Sequence, residues 1–366
     1  MPLPETMRGV VLKGAFDVKV ERRPVPRVEK DTDAVMRVHL AGLCGSDLHW
    51  YRGHQGSDAG FIMGHEAVGE VVEVGKGVRK FKVGDKVFSP FHLSCGDCFY
   101  CHRGYFSRCV QAQCIGGPGI EGAQAEYLRV PLADATLLPT PSDMPEELML
   151  LMADILPTGY SVAWHARRLA DEDRVPLGAD GRLSGAQEKD KGGVCVVVGC
   201  GPVGLCAITS ALTLFSKVFA TDLQPTRLRL AEKHGAIALP LEQLRAALLE
   251  ATDGRGADAV LEVVGHPGAL TTSMDLVRPF GVISSCGVHS MPITMDGDLL
   301  YSKNLRFQFG RCSVRKFYPM ALEILKANIP LFEGFVEHRI ALDDAEEYYR
   351  LFEQNKVAKT IFVIKE

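Results

Sequence analysis

Hydrophobic positions change rhythm along the chain. Over residues 8–40 and 61–90 apolar and polar residues alternate in short Val-rich runs, "AVMRVHLAG", "EAVGEVVEVG" and "GDKVFSP", broken by Gly and Pro. A period of two bounded by turn residues predicts short strands, here of a β-rich, barrel-like unit. From about residue 193 the runs become continuously apolar: "VCVVVG", "KVFATD", "AVLEVVG" and "GVISSCG". Amphipathic stretches such as "PTRLRLAEKHG" and "LEQLRAALLEATDG" lie between them. Buried-strand runs spaced by helical patterns predict βαβ units and a parallel sheet. After Gly310 come two amphipathic helices, in "YPMALEILKAN" and "DDAEEYYRLFEQ", and a last strand in "KTIFVIK". The segment 171–193 is polar and rich in Gly and charge, and reads as a mobile surface loop inserted before the first strand of the α/β part.

Composition narrows the class. A chain of 366 residues is long enough for two or more domains, and 46% hydrophobic with 23% charged residues and 37 glycines describes a soluble, turn-rich globular protein. The net charge of −4 argues against a general nucleic-acid binder, which is usually basic. The start "MPLPETMRGVVLKG" lacks a long apolar stretch and carries Glu5, unlike a signal peptide, and no run approaches the roughly 20 apolar residues of a membrane span. Eleven cysteines are too few and too clustered for a secreted disulfide framework. A cytoplasmic location follows, where clustered thiols point to metal or catalysis.

Cys95, Cys98, Cys101 and Cys109 follow the spacing C-x2-C-x2-C-x7-C. Four thiolates around one tetrahedral ion make a closed, structural zinc site with no position left for chemistry. Gly96 and Gly104 let the backbone wrap the ion. An iron–sulfur cluster also takes four cysteines, but the usual bacterial run ends with a shorter gap and a proline.

A second signature lies in "VCVVVGCGPVG". Gly199, Gly201 and Gly204 form G-x-G-x-x-G, with Pro202 and Val203 between the last two glycines. The motif follows an apolar strand and opens the helical run "LCAITSALTLF", and a second strand ends at Asp222. In that context the glycines bring a pyrophosphate onto a helix N-terminus, and Asp222 accepts the adenosine ribose hydroxyls. Its charge would repel a 2′-phosphate, so the expected cofactor is NAD.

Upstream, "GLCGSDLHWYRGH" and "GHEAVGEVVEVGKGV" carry a resemblance that runs over nearly the whole chain. Gly64, His65, Glu66, Gly69, Gly75 and Val78 match the zinc signature of the zinc-dependent medium-chain alcohol dehydrogenases, and the four-cysteine lobe sits where that family carries its structural zinc. The stretch "DILPTG" resembles the glutathione-independent formaldehyde dehydrogenase branch in particular. The implied fold is a GroES-like catalytic domain, residues 1–156 and 310–366, plus a Rossmann NAD-binding domain, residues 157–309. The resemblance implies two zinc ions, with Cys44 and His65 as ligands of a catalytic one. Many members have a cysteine as third ligand, four residues before a Thr-Gly pair. Here that position is Asp154, ahead of Thr158, and a carboxylate is a competent zinc ligand. Ser46 and His49 match the family's proton relay, and Glu66 would tune or transiently contact the metal. Phe91 and Trp50 are candidate apolar walls. Arg227 would cover the adenine, Gly265 and "SSCGVHS" would line the nicotinamide side, and Lys359 would stand near the pyrophosphate. The partners implied are a small alcohol or aldehyde and further copies of the chain, as a homodimer or homotetramer, with neither nucleic acid nor membrane. Two other readings compete. A zinc-free quinone or enoyl reductase relative would lack Cys44, His65 and Glu66, and a non-catalytic protein keeping the fold would show a broken ligand set.

Overall fold

The computed structural model describes residues 2–56, 58–171 and 192–364, so most of the segment read as an inserted loop at 171–193 lies outside the described residues. The chain divides into two compact units: Met1–Pro157 with Ser313–Glu366, and Thr158–Cys312.

The first unit is built on a seven-stranded, mostly antiparallel sheet. Its order is His338–Ile340, Thr360–Val363, Ala34–Leu43, Ala67–Val74, Lys86–Ser89 and Leu138–Pro139, with Tyr127–Val130 also pairing with Ala34–Leu43. A hairpin of Thr6–Gly14 and Asp17–Pro24 stands beside it. Alternation in Ala34–Leu43 sends Met36 and Val38 into a core shared with Val10, Val71, Leu128 and Phe362. Register decides which residues meet at the strand ends. Ala41 pairs with Ala67 in an antiparallel ladder, so the end of one strand lies beside the start of the next. Cys44, one residue after the first strand, and His65 and Glu66, just before the second, are thereby brought to the same end of the sheet. Gly42 makes this approach possible, because a Cβ there would fall 1.8 Å from Glu66 Oε2.

The second unit is a wholly parallel six-stranded sheet. Its order is Ile237–Ala238, Lys217–Thr221, Val194–Val198, Ala257–Glu262, Val277–Ser285 and Arg306–Phe309. Counted along the chain this is 3-2-1-4-5-6, the doubly wound arrangement whose ligand crevice opens at the carboxyl ends of the strands where the order reverses. The apolar runs are its buried strands, with Val196, Phe219, Val260 and Ile283 in one core. Among the described residues no helix is long and apolar enough to cross a membrane.

Candidate metal and nucleotide sites

Four side chains converge in the first unit. One ligand atom from each of Cys44, His65, Glu66 and Asp154 lies within 4.8 Å of the others, and all four residues are buried. His65 Nε2 is 3.4 Å from Asp154 Oδ2, and Cys44 Sγ is 3.8 Å from the same oxygen. Asp154 follows the short helical turn Leu151–Ala153 and immediately precedes the helix Ile155–Asp171, with backbone angles of φ −150° and ψ −70°. Thr158 is buried in the first turns of that helix.

The donors fit a divalent cation. His65 Nδ1 is 2.9 Å from Asp47 Oδ1, while its buried Nε2 has no hydrogen-bond partner. A carboxylate on one ring nitrogen, with the other turned toward further donors, is the arrangement of a metal-binding histidine. Burial pushes the Cys44 thiol above its ordinary pKa; the neighbouring His65 imidazole opposes the shift, and the charges of Glu66 and Asp154 add to it. A nearby cation is what such a sulfur needs to remain a thiolate. With a divalent cation bound there, Cys44 and Asp154 would supply two negative charges against its two. Glu66 is otherwise engaged. Its Oε2 lies 2.5 Å from Lys359 Nζ, and both side chains are almost wholly inaccessible. Lys359 thus pairs with Glu66 inside the first unit.

Ser46 Oγ lies 4.0 Å from Cys44 Sγ. His49 is half-buried in the helix Asp47–Tyr51, and burial, with the charges of His54 and Arg52, lowers its pKa below the usual imidazole value. Phe91 packs edge-on to His65 with ring centroids 6.3 Å apart. Trp50 packs instead on Phe61, at 5.3 Å.

The four cysteines of the lobe form a second group within 4.8 Å of one another. Backbone N–H groups of Cys95 and Gln111 are aimed at Cys109 Sγ, at 3.2 and 3.3 Å, and that of Asp97 at Cys95 Sγ, at 3.5 Å. Such donors favour thiolates, and the backbone of Val110 and Cys101 lowers the Cys98 pKa to about 6. Burial and its Cys98 neighbour push Cys101 up to about 12. Four mutually repelling thiolates become compatible when one cation sits among them.

In the second unit Gly199 adopts φ +100° and Gly204 presses on it, so that a Cβ at Gly204 would lie 2.0 Å from Gly199 O. Gly201 is the N-cap of the ten-residue helix Pro202–Ala211, which begins with Pro202 and Val203. The helix N-terminus and its unpaired N–H groups suit a phosphate. Asp222 closes the next strand: Oδ2 accepts Cys200 N–H at 2.8 Å and Oδ1 accepts Gln224 N–H at 2.8 Å. Arg227 Nη1 lies 3.8 Å from Asp222 Oδ2. Gly265, at φ +78°, donates its N–H to Glu262 Oε1 at 2.7 Å.

Comparison with known proteins agrees with this geometry. Residues 30–141 match the alcohol dehydrogenase GroES-like domain, and residues 202–327 match the zinc-binding dehydrogenase domain. Over 361 residues the chain is 45% identical to zinc-type alcohol dehydrogenase B of Aspergillus flavus, covering 97% of this chain and 81% of that one. The chain belongs to the zinc-type alcohol dehydrogenase family. Its fold is that of this family: alcohol dehydrogenase TADH from Thermus sp. ATN1 matches with a TM-score of 0.87 and 35% identity, over 98% of this chain and 100% of that one. The glutathione-independent formaldehyde dehydrogenase of Pseudomonas aeruginosa is 32% identical over 378 residues, 92% of this chain and 90% of that one. As a zinc-type alcohol dehydrogenase the chain is an oxidoreductase, and the zinc-free and non-catalytic readings fall away.

Several residues around these alcohol dehydrogenase sites escaped the sequence reading. Asp47, which orients His65, sits three residues after Cys44 inside the quoted "GLCGSDLHW" and carries no spacing signal of its own. Glu262 accepts from Val264 and Gly265 N–H groups and from Ser285 Oγ, with His289 Nε2 3.2 Å away. Its one sequence signal is a carboxylate at the end of an otherwise apolar strand.

Proposed function

We propose that the protein transfers a hydride between a primary or secondary alcohol, or the matching aldehyde or ketone, and NAD. The observation that carries this reading is the convergence of buried Cys44, His65 and Asp154, with His65 Nε2 and Cys44 Sγ both turned to Asp154 Oδ2. In this reading these three hold a catalytic zinc and the four-cysteine lobe holds a structural one, giving two ions per chain. Zinc bound there supplies Lewis acidity that lowers the pKa of an alcohol hydroxyl. The chain's own groups do the rest. The Ser46 hydroxyl beside Cys44 takes up and passes on the proton, and the His49 imidazole, kept neutral by its lowered pKa, accepts it. Phe91 against the His65 ring helps exclude water. Gly199, Gly201, Pro202, Val203 and Gly204 form the pyrophosphate turn, Asp222 takes the ribose hydroxyls, Arg227 covers the adenine and Gly265 borders the nicotinamide.

A small-molecule substrate in the cytoplasm is part of the same proposal, supported by eleven cysteines none of which is paired in a disulfide. So is a homo-oligomer. Among the described residues Arg306–Phe309 is an edge strand paired on one side only, and Tyr301 nearby is 88% exposed.

A panel of alcohols and aldehydes, followed at the nicotinamide absorbance with NAD and NADP, together with bound-metal analysis, tests the reading. NAD-linked turnover by protein holding two zinc ions per chain is expected. Active protein holding fewer than two metals, or zinc-replete protein inert across the panel, would overturn it.

A further inference from the structure

The metal-binding pair Cys44 and His65 is held by one carboxylate, and that carboxylate is itself held. Asp47 is 2% exposed. Its Oδ1 is 2.9 Å from His65 Nδ1, and its Oδ2 accepts Cys44 N–H at 3.0 Å. The same Oδ2 accepts a second hydrogen bond, from Gln124 Nε2 at 3.3 Å. Gln124 is wholly buried, and Nε2 also donates to Gly42 O at 3.0 Å. Tyr349 Oη lies 2.8 Å from Gln124 Oε1.

We propose that Gln124 and Tyr349 are positioning residues of the metal centre, forming a buried relay that fixes Asp47 and through it both Cys44 and His65. The proposal rests on the zinc reading of Cys44, His65 and Asp154. The direction of every hydrogen bond in the relay is determined by its ends. A backbone carbonyl and a carboxylate can only accept, so both Gln124 amide protons must face Gly42 O and Asp47 Oδ2. Oε1 is then left toward Tyr349, whose hydroxyl must donate. Burial, reinforced by the charge of Asp47, holds the Tyr349 pKa well above the usual phenol value, so the donor keeps its proton. With the Gln124 amide fixed in this sense, Asp47 remains an acceptor toward His65. The ring is therefore kept as the Nδ1–H tautomer, with the Nε2 lone pair free for metal.

Space for the relay is reserved beside the ligand. Gly64, immediately before His65, adopts φ +91°, and a Cβ there would lie 2.4 Å from Gln124 Cγ. Tyr349 is delivered from the distant helix Ala345–Glu353, where its ring packs on Tyr51 with centroids 5.2 Å apart. An apolar residue at 124 could fill the same volume, but it would leave Gly42 O and the Tyr349 hydroxyl buried without partners. Asp47 would then be held on Oδ2 by the Cys44 N–H alone.

Metal release from the full-length zinc protein to a chromophoric chelator tests this, and the four-cysteine site serves as an internal reference. Two phases are expected in the unmodified protein, the mixed-ligand phase being the one absent from Cys44→Ser. Gln124→Met should accelerate that phase by about tenfold, the lower edge of what losing a partner of a metal-bound histidine brings. Tyr349→Phe, which removes one oxygen and keeps the ring, should accelerate it less. In both variants the four-cysteine phase should stay unchanged. Both phases unchanged in both variants, or both accelerated alike, would overturn the positioning role. An unmodified protein with no mixed-ligand phase would instead sink the zinc reading, and this proposal with it.

Discussion

Lys359 Nζ and Glu66 Oε2 meet at 2.5 Å across 293 positions of sequence, in surroundings that leave both side chains almost no contact with water. Burial disfavours the ammonium, but the Glu66 carboxylate more than offsets it and raises the Lys359 pKa above its ordinary value. A raised lysine pKa stabilises the fold below the unfolded-state pKa, and the contribution fades only as pH rises through the folded-state value. The ammonium is therefore charged throughout the neutral range, while burial raises the Glu66 carboxyl above its ordinary pKa against the pull of Lys359. Lys359→Met should destabilise the protein by about 3–5 kcal/mol, because it strands a buried carboxylate. Glu66→Gln combined with Lys359→Met should recover much of that loss. A denaturant double-mutant cycle measures this, and strictly additive losses would contradict it.

Asp154→Ala leaves Cys44 and His65 with too few protein donors for a tightly held ion. One zinc should be lost while the lobe keeps its own, and alcohol oxidation should fall by several orders of magnitude. Asp154→Cys should retain both ions, since a thiolate is an equally competent ligand. Metal content and turnover of the folded variants decide the matter. Two retained zinc ions and near-normal turnover in Asp154→Ala would transfer the third position to Glu66, whose Oε1 has no hydrogen-bond partner.

Asp222 offers its carboxylate where an adenosine ribose is expected, and Asp222→Ser should narrow the preference for NAD over NADP. Charge and steric conflict with a 2′-phosphate is worth about 2–3 kcal/mol, or roughly 30- to 150-fold in affinity. Because Asp222 also accepts the Cys200 and Gln224 N–H groups, NAD binding itself should weaken in the variant. Comparable affinity of the unmodified chain for both cofactors, by titration, would contradict the assignment.

His49 must be neutral to accept a proton, and its lowered pKa keeps it so to lower pH than an ordinary imidazole. Arg52→Gln removes one of the positive charges responsible, so the acid limb of the kcat/KM profile for alcohol oxidation should move to higher pH. His49→Gln should abolish that limb. An Arg52→Gln profile displaced toward acid would show that another group controls it.

Legibility in the sequence followed the range of the interactions. Val194–Val198 and Lys217–Thr221 were visible because a buried parallel strand is apolar on both faces. The lobe was visible because four of its ligands fall within a few turns of chain. Arg306–Phe309 was not, since an edge strand buries little and its Arg and Gln alternate with Phe. The helix face carrying Tyr349 could be read from its period, but its hydroxyl contact to Gln124 spans 225 residues and leaves no local mark. Lys359 was assigned only by resemblance, to the neighbourhood of a pyrophosphate, and its burial against Glu66 had no local signal because only the fold supplies that carboxylate.

That long reach orders the protein's birth on the ribosome. Cys44, His65 and Asp154 emerge early, yet Tyr349 and Lys359, which brace their surroundings, are translated only after the entire nucleotide-binding unit at Thr158–Cys312. The four-cysteine lobe needs no such delayed part among its donors. On the proposed two-zinc reading, a nascent chain can load the lobe long before the mixed-ligand site can close, leaving an interval in which that site is open to whichever divalent ion the cell offers first.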